Sequence, residues 1–282
     1  MFPTSIDGAG LGLRRELMLP LMAGVPSAID FFEISPENWI DLGGRRAKDF
    51  RWFTERYPFV AHGLSLSLGG LDPLDEGFLR RMKAFMDAHD IALYTEHLSY
   101  CTDGGHLYEL LPIPFTEEAV HYVAARIRRT QEILERRIAV ENASYYAAAP
   151  ISDMDELSFI RAVVEEADCW LHLDVNNLYV NSVNHGYDPH AFLRGLPGKR
   201  VAYIHVAGHD REAPDLIIDT HGQAVVDPVW ELLQESYGYF GVLPTLLERD
   251  FNLPPLDELV GEVAYIAELQ DRYLLDHLKR IA

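Results

Sequence analysis

Short apolar runs that close on a single polar residue recur along this chain, separated by stretches whose apolar positions fall three and four apart. The runs at 10–13, 29–34, 59–65, 92–97, 138–141, 170–175, 201–206 and 243–248 have the length and near-continuous apolarity of strands covered on both faces. Helices are predicted between them. Leu79, Met82, Phe85 and Met86 form one apolar stripe, and Val120, Val123, Ala124, Ile127 and Leu134 form another behind a capping Thr116. Asp153 with Glu156 three residues on predicts the start of a helix ahead of Leu157, Ile160 and Val163, and 256–275 predicts a long closing helix. Eight strand-helix units in 282 residues predict an α/β protein, a (β/α)8 TIM barrel in one domain over 1–282, rather than an open doubly wound sheet.

That architecture gives meaning to the polar residues at the strand ends. His62 in FVAHG, His97 in TEH, Glu141 in AVE, Asp174 in HLD, His205 in YIH and Glu248 in LLE close strands three to eight in order, and Asp219 and His221 follow in DTHG. In a barrel such ends meet at one mouth, so residues far apart in sequence face a common centre. A His at one strand end is ordinarily a hydrogen-bonded structural residue, and Asp219 with His221 could shape a loop. Six consecutive strand ends chosen from ligand residues point to a shared metal site. Imidazole and carboxylate without thiolate suit iron, manganese or zinc. Since one ion needs about three or four protein ligands, the set predicts two or three ions, with a carboxylate such as Glu141 bridging.

Further candidates stand beside these. His185 in VNHG and His209 in VAGH stay open between ligand, acid/base group and loop structure; His185 is counted with the ligands, and His209 joins Glu141 and Asp174 as a candidate catalytic group. Asn142, Asn176 and Asn177 adjoin candidate carboxylates, which they could orient. His89, His121 and His277 lie in helical stretches and are expected on the surface.

Composition narrows the partners. With 24 Lys and Arg against 44 Asp and Glu, the formal charge of −20 disfavours phosphate backbones, so no nucleic-acid partner is expected. Cys101 and Cys169 are too few for a disulfide framework and lack C-x-x-C spacing. The N-terminal stretch has no basic region before an apolar core, and no run of about 18 apolar residues occurs. These points predict a cytoplasmic chain with no membrane contact. GAGLGL at 8–13 fails as a dinucleotide fingerprint, because Leu13 stands where the third glycine belongs; phosphate-loop, nucleophile-elbow and H-E-x-x-H patterns are absent.

The segments GLGLR, FFEISPENW, FVAHGLSLSLGG, TEHLSY, VENASYY, LDVNNLYVNSVNHG, YIHVAGH, DTHG and LLERD, in this order over nearly the whole chain, resemble the DUF692 group, also called UPF0276. These are multinuclear non-haem iron-dependent oxidative enzymes related to the xylose isomerase-like barrels. The resemblance implies a barrel with two or three iron ions (Fe2+/Fe3+) that uses dioxygen to oxidise a substrate, typically a cysteine of a ribosomally made precursor peptide. It also implies a small partner protein that captures the peptide leader. His62, His97, Glu141, Asp174, His205, Asp219, His221 and Glu248 fall where the family's ligands are expected. Glu33, Glu37 and Asn38 in FFEISPENW, with Asn142 and Asn177, would line the pocket or support the ligands; Ser35 stands where the family often has His. Two other readings compete: a zinc or manganese isomerase or hydrolase on the same barrel, and a non-catalytic metal-binding scaffold.

Overall fold

Period-two alternation decides which side chain of each strand enters the barrel. The computed structural model describes residues 6–281, for 276–278, 280 and 281 the backbone alone, so the expected surface position of His277 lies outside the described side chains. Eight strands are β1 (Ala9–Gly12), β2 (Phe31–Ile34), β3 (Phe59–Gly63), β4 (Leu93–His97), β5 (Ala139–Glu141), β6 (Trp170–Asp174), β7 (Val201–Val206) and β8 (Thr245–Leu247). They pair in parallel in chain order, and β8 returns to β1 through Ala9↔Thr245, Gly10↔Leu246 and Leu11↔Leu247, which closes the barrel. Each overlaps a strand read from the apolar pattern.

Alternate residues pack two separate cores. Phe31, Val60, Leu93, Ala139, Trp170, Tyr203 and Leu246 fill the lower barrel interior, while Phe32, Ala61, Tyr94, Val140, Leu171, Ile204 and Leu247 point out against the helices. Gly10 belongs to the interior layer because the Phe31 ring takes its space: a Cβ there would lie 2.5 Å from that ring. One step up, alternation turns Glu33, His62, Thr95, Glu141, His172 and His205 inward, all of them buried. The barrel is thus apolar below and polar above.

The helical layer consists of α1 (Arg15–Ala23), α2 (Gly44–Thr54), α3 (Glu76–Ala88), α4 (Glu117–Leu134), α5 (Glu156–Ala167), α6 (Val175–His185), α7 (Pro189–Gly195), α8 (Asp227–Phe240) and α9 (Leu256–Ile281). Leu79, Met82 and Met86 of α3, and Val120, Val123, Ala124, Ile127 and Leu134 of α4, are buried as their spacing predicts. Burial of each such side chain contributes about 1.5–3 kcal/mol. Thr116 caps α4 through the Ala119 amide at 3.2 Å. The cap of α5 is Asp155, which accepts from the Ser158 amide at 2.7 Å, and not the expected Asp153. His89 also departs from expectation: it closes α3 half-buried, its ring against Phe50 and Phe85 and its Nδ1 2.9 Å from the Thr54 hydroxyl. His121 is exposed beside Glu166.

Among the described residues, two β-hairpins stand outside the barrel, Tyr100–Thr102 with His106–Leu111 and Asp210–Ala213 with Leu216–Ile218. Both follow strand ends of the polar mouth. No helix among the described residues is long and apolar enough to cross a membrane.

Candidate metal centre

The carboxyl ends of β2 to β8 converge on one cluster. Among the described residues, four sets of three groups each bring potential ligand atoms within 4.8 Å of one another: His62–Glu141–His172, Glu141–Asp174–His205, Asp174–His221–Glu248, and Glu33–His205–Glu248. Glu141, Asp174, His205 and Glu248 each belong to two sets, so the groups form one continuous run and not separate sites. His97 joins through Nε2, 3.3 Å from His62 Nε2 and 3.5 Å from Glu141 Oε2. Asp219 joins through Oδ1, 2.8 Å from His221 Nε2. His221 sits at φ +48, a left-handed conformation that turns its ring inward from the loop.

Neighbouring groups fix which atom each ligand presents. Thr95 Oγ1 holds His62 Nδ1 at 2.6 Å and the Gly63 carbonyl accepts from His97 Nδ1 at 3.1 Å, so both rings offer Nε2 to the centre. Gly63 leaves room for this, since a Cβ would lie 2.1 Å from the Tyr94 hydroxyl. Glu33 accepts from His205 Nε2 and from the Tyr203 hydroxyl, each at 3.0 Å, which turns His205 Nδ1 upward. Asp174 receives the Asn177 amide on Oδ1 at 2.7 Å, capping α6 and leaving Oδ2 for the centre. Asn177 Nδ2 also reaches Glu141 Oε1 at 3.3 Å. Such outer partners commonly set ligand orientation and basicity in metal sites.

The decisive feature is a set of buried polar atoms without hydrogen bonds. Among the described residues, Glu141 Oε2, Asp174 Oδ2, His205 Nδ1, His221 Nε2, Asn177 Oδ1 and both nitrogens of His172 have no such partner. Several are nevertheless close to opposite charge: His205 Nδ1 lies 2.9 Å from Glu248 Oε2 and His221 Nε2 lies 2.8 Å from Asp219 Oδ1, without hydrogen-bond alignment. Unpaired buried polar atoms are costly, on the order of 1–3 kcal/mol each. Donor atoms about 3 Å apart are spaced as two ligands of one cation are, for metal–ligand distances of about 2.0–2.2 Å. Histidine and carboxylate donors fit a borderline-to-hard divalent ion.

Electrostatics agree with that arrangement. Burial favours neutral His97, but the charges of Glu141 and Glu96 outweigh it and hold the ring up to about 9. Burial likewise opposes charge on His205 and His221, yet Glu33 and Glu248 raise the first, and Asp219 and Glu248 the second, well above the ordinary imidazole value. Glu248 is driven far down by His221 and His205 in spite of burial. Asp174 is pushed up by burial and by the Glu141 charge. A mouth this rich in carboxylate retains positive charge, as protons or as metal ions.

Several sequence candidates occupy other places. His185 stands apart from the cluster: its ring stacks on Tyr145 and its Nε2 lies 2.9 Å from the Tyr145 carbonyl, because the last turn of α6 carries it beyond the mouth. His209 lies behind the centre, stacked on Tyr179, with Nδ1 donating to Asn176 Oδ1 at 2.8 Å. Glu37 accepts from the Leu64 and Ser65 amides and holds the loop after β3. The Asn38 side chain is exposed, and its carbonyl accepts from Arg15. Asn142 clamps the Asp174 backbone at both its amide and its carbonyl. Conversely, His172 and the inward position of Glu33 against His205 went unread; the alternation in WLHLD puts Trp170, His172 and Asp174 on one face and carries the first signal.

A cleft of about 350 Å3 opens above the centre, with His62, His97, Asn177, Asp219, His221 and Glu248 on its floor. A closed parallel barrel with its polar cluster at the carboxyl ends is the (β/α)8 TIM-barrel architecture, in which active sites sit at that face. Solved structures of this shape include D-psicose 3-epimerase from Clostridium cellulolyticum, with TM-score 0.63 and 11% identity over 94% of this chain and 99% of that one. The IolI protein with a bound zinc atom has TM-score 0.59 and 14% identity over 94% and 99%. At the sequence level, residues 8–271 match the family described as RiPP precursor modification enzyme MbnB/TglH/ChrH. A UPF0276 protein of Nitrosospira multiformis is 67% identical over 94% of this chain and 93% of its own length, and one of Pseudomonas aeruginosa is 56% identical over 95% and 94%. The chain belongs to this UPF0276 family of peptide-modifying enzymes.

Proposed function

We propose that this chain holds two or three iron ions at the mouth and uses dioxygen to oxidise a cysteine of a ribosomally made precursor peptide, delivered with a small leader-binding partner. The observation that carries the reading is the continuous run of buried, unpaired donor atoms in which Glu141 and Asp174 each belong to two sets, more donors than one ion would take. Family membership supplies the substrate class.

Iron at this position supplies a Lewis acid for a substrate thiolate and a redox partner for dioxygen. The protein's part is placement. His62 and His97 present Nε2 because Thr95 and the Gly63 carbonyl hold their other nitrogens. Asn177 steers Glu141 and Asp174 together, while Asn176 and Ser144 hold Asp219, each bond at 2.8 Å. The lower barrel is packed with apolar side chains, and the cleft above the centre offers a substrate sulfur its approach.

The test is anaerobic purification, metal analysis and oxygen consumption with a cysteine-containing precursor peptide. Iron at two or three equivalents and peptide-dependent oxygen uptake are expected. Glu141→Ala is expected to lose most of the iron while keeping the circular dichroism of the folded barrel. Zinc or manganese with no oxygen uptake would point to the isomerase or hydrolase reading, and unchanged iron in Glu141→Ala would remove Glu141 from the ligand set.

A further inference from the structure

The hairpin after β4 is fastened to the barrel on one side and open on the other. Its first strand, Tyr100–Thr102, is tied to the loop after β3: the Cys101 amide and the Thr102 hydroxyl both donate to Ser67 Oγ at 3.0 Å, and the Gly69 amide donates to the Ser99 carbonyl at 2.9 Å. The turn is tied as well, through the Gly104 amide to Asp72 at 3.1 Å. Its second strand, His106–Leu111, pairs among the described residues with the first strand only.

That unpaired edge borders the cleft. His106, Leu107, Tyr108, Glu109 and Leu110 all line it in succession. In a strand whose face borders a cavity only alternate residues line it; five in a row line it when the edge runs along it. Tyr108 is 95% exposed, and across the cleft Tyr146 and Phe251 are exposed as well. A strand edge with free backbone groups pairs with another extended chain, and proteins otherwise cover or charge such an edge.

We infer that the His106–Leu111 edge takes the substrate peptide as an added β-strand, lying across the mouth and setting one of its side chains over His62 and His97. This rests on the peptide-substrate reading above and says how that substrate is held. A backbone ladder recognises any extended peptide, while Tyr108, Tyr146 and Phe251 offer contact to apolar side chains beside the reacting one. Glu109 beside the edge, within a chain of formal charge −20, favours a segment with basic rather than acidic flanks. Six strand residues span roughly 20 Å, so about six peptide residues are engaged.

The test uses a synthetic peptide of about seven residues with a central cysteine between valine and threonine and lysine at both ends, a length set by the strand. Two analogues carry N-methyl groups at alternate amides, one set in each phase. Binding is measured under argon, with and without metal, so that it is read separately from oxidation. Saturation below about 1 mM is expected, with one analogue at least about tenfold weaker and the other unchanged. Slowed hydrogen exchange over 106–111 is expected on binding. Equal binding of both analogues, no protection over 106–111, or no binding of the parent peptide overturns the inference. Oxygen uptake that ignores N-methylation would leave the oxidative function standing without the added strand; protected amides without oxygen uptake would do the reverse.

Discussion

Asn176 divides its side-chain amide between two neighbours, donating to Asp219 Oδ1 and accepting from His209 Nδ1, both at 2.8 Å. Asp219 in turn stands 2.8 Å from His221, so His209, which does not line the cleft, reaches the centre through two intermediaries. Replacing Asn176 by Ala strands a buried imidazole and loosens the carboxylate. The expected cost is on the order of 1–3 kcal/mol of stability and a 10–100-fold loss of metal affinity, read by chelator competition. A lowered melting temperature with an unmoved chelator midpoint would reduce Asn176 to a packing role. At this scale the buried histidines and carboxylates that meet at the mouth were legible as candidates because they stand at or just after the ends of apolar runs. His172 was not, since it sits inside its run, where only counting alternate positions from Asp174 turns it inward. His185 misled for the opposite reason: it adjoins a glycine in a polar stretch, and only the length of α6 shows that its ring ends against Tyr145.

The loop after β5 owes its path to α5 and α6. Asn181 accepts from the Tyr145 amide and donates to the Ala143 carbonyl and to Glu156, at 3.0, 3.0 and 3.1 Å. Tyr145 and Tyr187 donate their hydroxyls to the same carboxylate. Burial pushes Glu156 up to about 7, with these hydrogen bonds pulling the other way. Its folded value lies above the unfolded one, so the folded chain binds the extra proton between them. That contribution is fully present below about pH 4.5 and is lost as pH rises through 7. Glu156→Gln, which mimics the protonated side chain, should match the parent near pH 5 and exceed it near pH 8 by about 1–3 kcal/mol in urea denaturation. Parallel pH profiles for the two proteins would mean that the carboxyl stays charged. The eight strands were readable because near-continuous apolarity is what a covered parallel sheet requires. The hairpins were not, because Tyr100–Thr102 and His106–Leu111 are short and half-exposed and gain their order from Ser67 and Asp72 far back in the chain.

Across the whole molecule, the β1–β8 seam is fastened at both ends, and at the carboxyl end its closure meets the charge of the mouth. Gln270 of α9 donates to the Gly8 and Leu243 carbonyls at 3.0 and 3.1 Å at the amino end of the seam, and at the carboxyl end Arg14 joins Glu248 and Asp250. The rim therefore holds together carboxylates that repel one another, within a chain already at −20. Glu33, Glu141, Asp174 and Glu248 are buried, which removes the water that would screen them. Cations bound there cancel that repulsion in the folded state and have no matching site in the unfolded chain, so their binding energy adds to stability. At a free-ion concentration a hundredfold above the dissociation constant the gain is about 2.7 kcal/mol per site, or roughly 5–10 °C in melting temperature for a chain of this size. Fe2+, Mn2+ or Zn2+ added without oxygen to chelator-treated protein should each raise the transition, and protons should be released as they bind, because His97, His205 and His221 then give up the charge that the carboxylates hold on them. Melting curves and proton release measured in weak buffer check both parts. A transition that no divalent ion moves would show that the acidic rim is neutralised by its own imidazolium groups, and the case for a metal centre would fall with it.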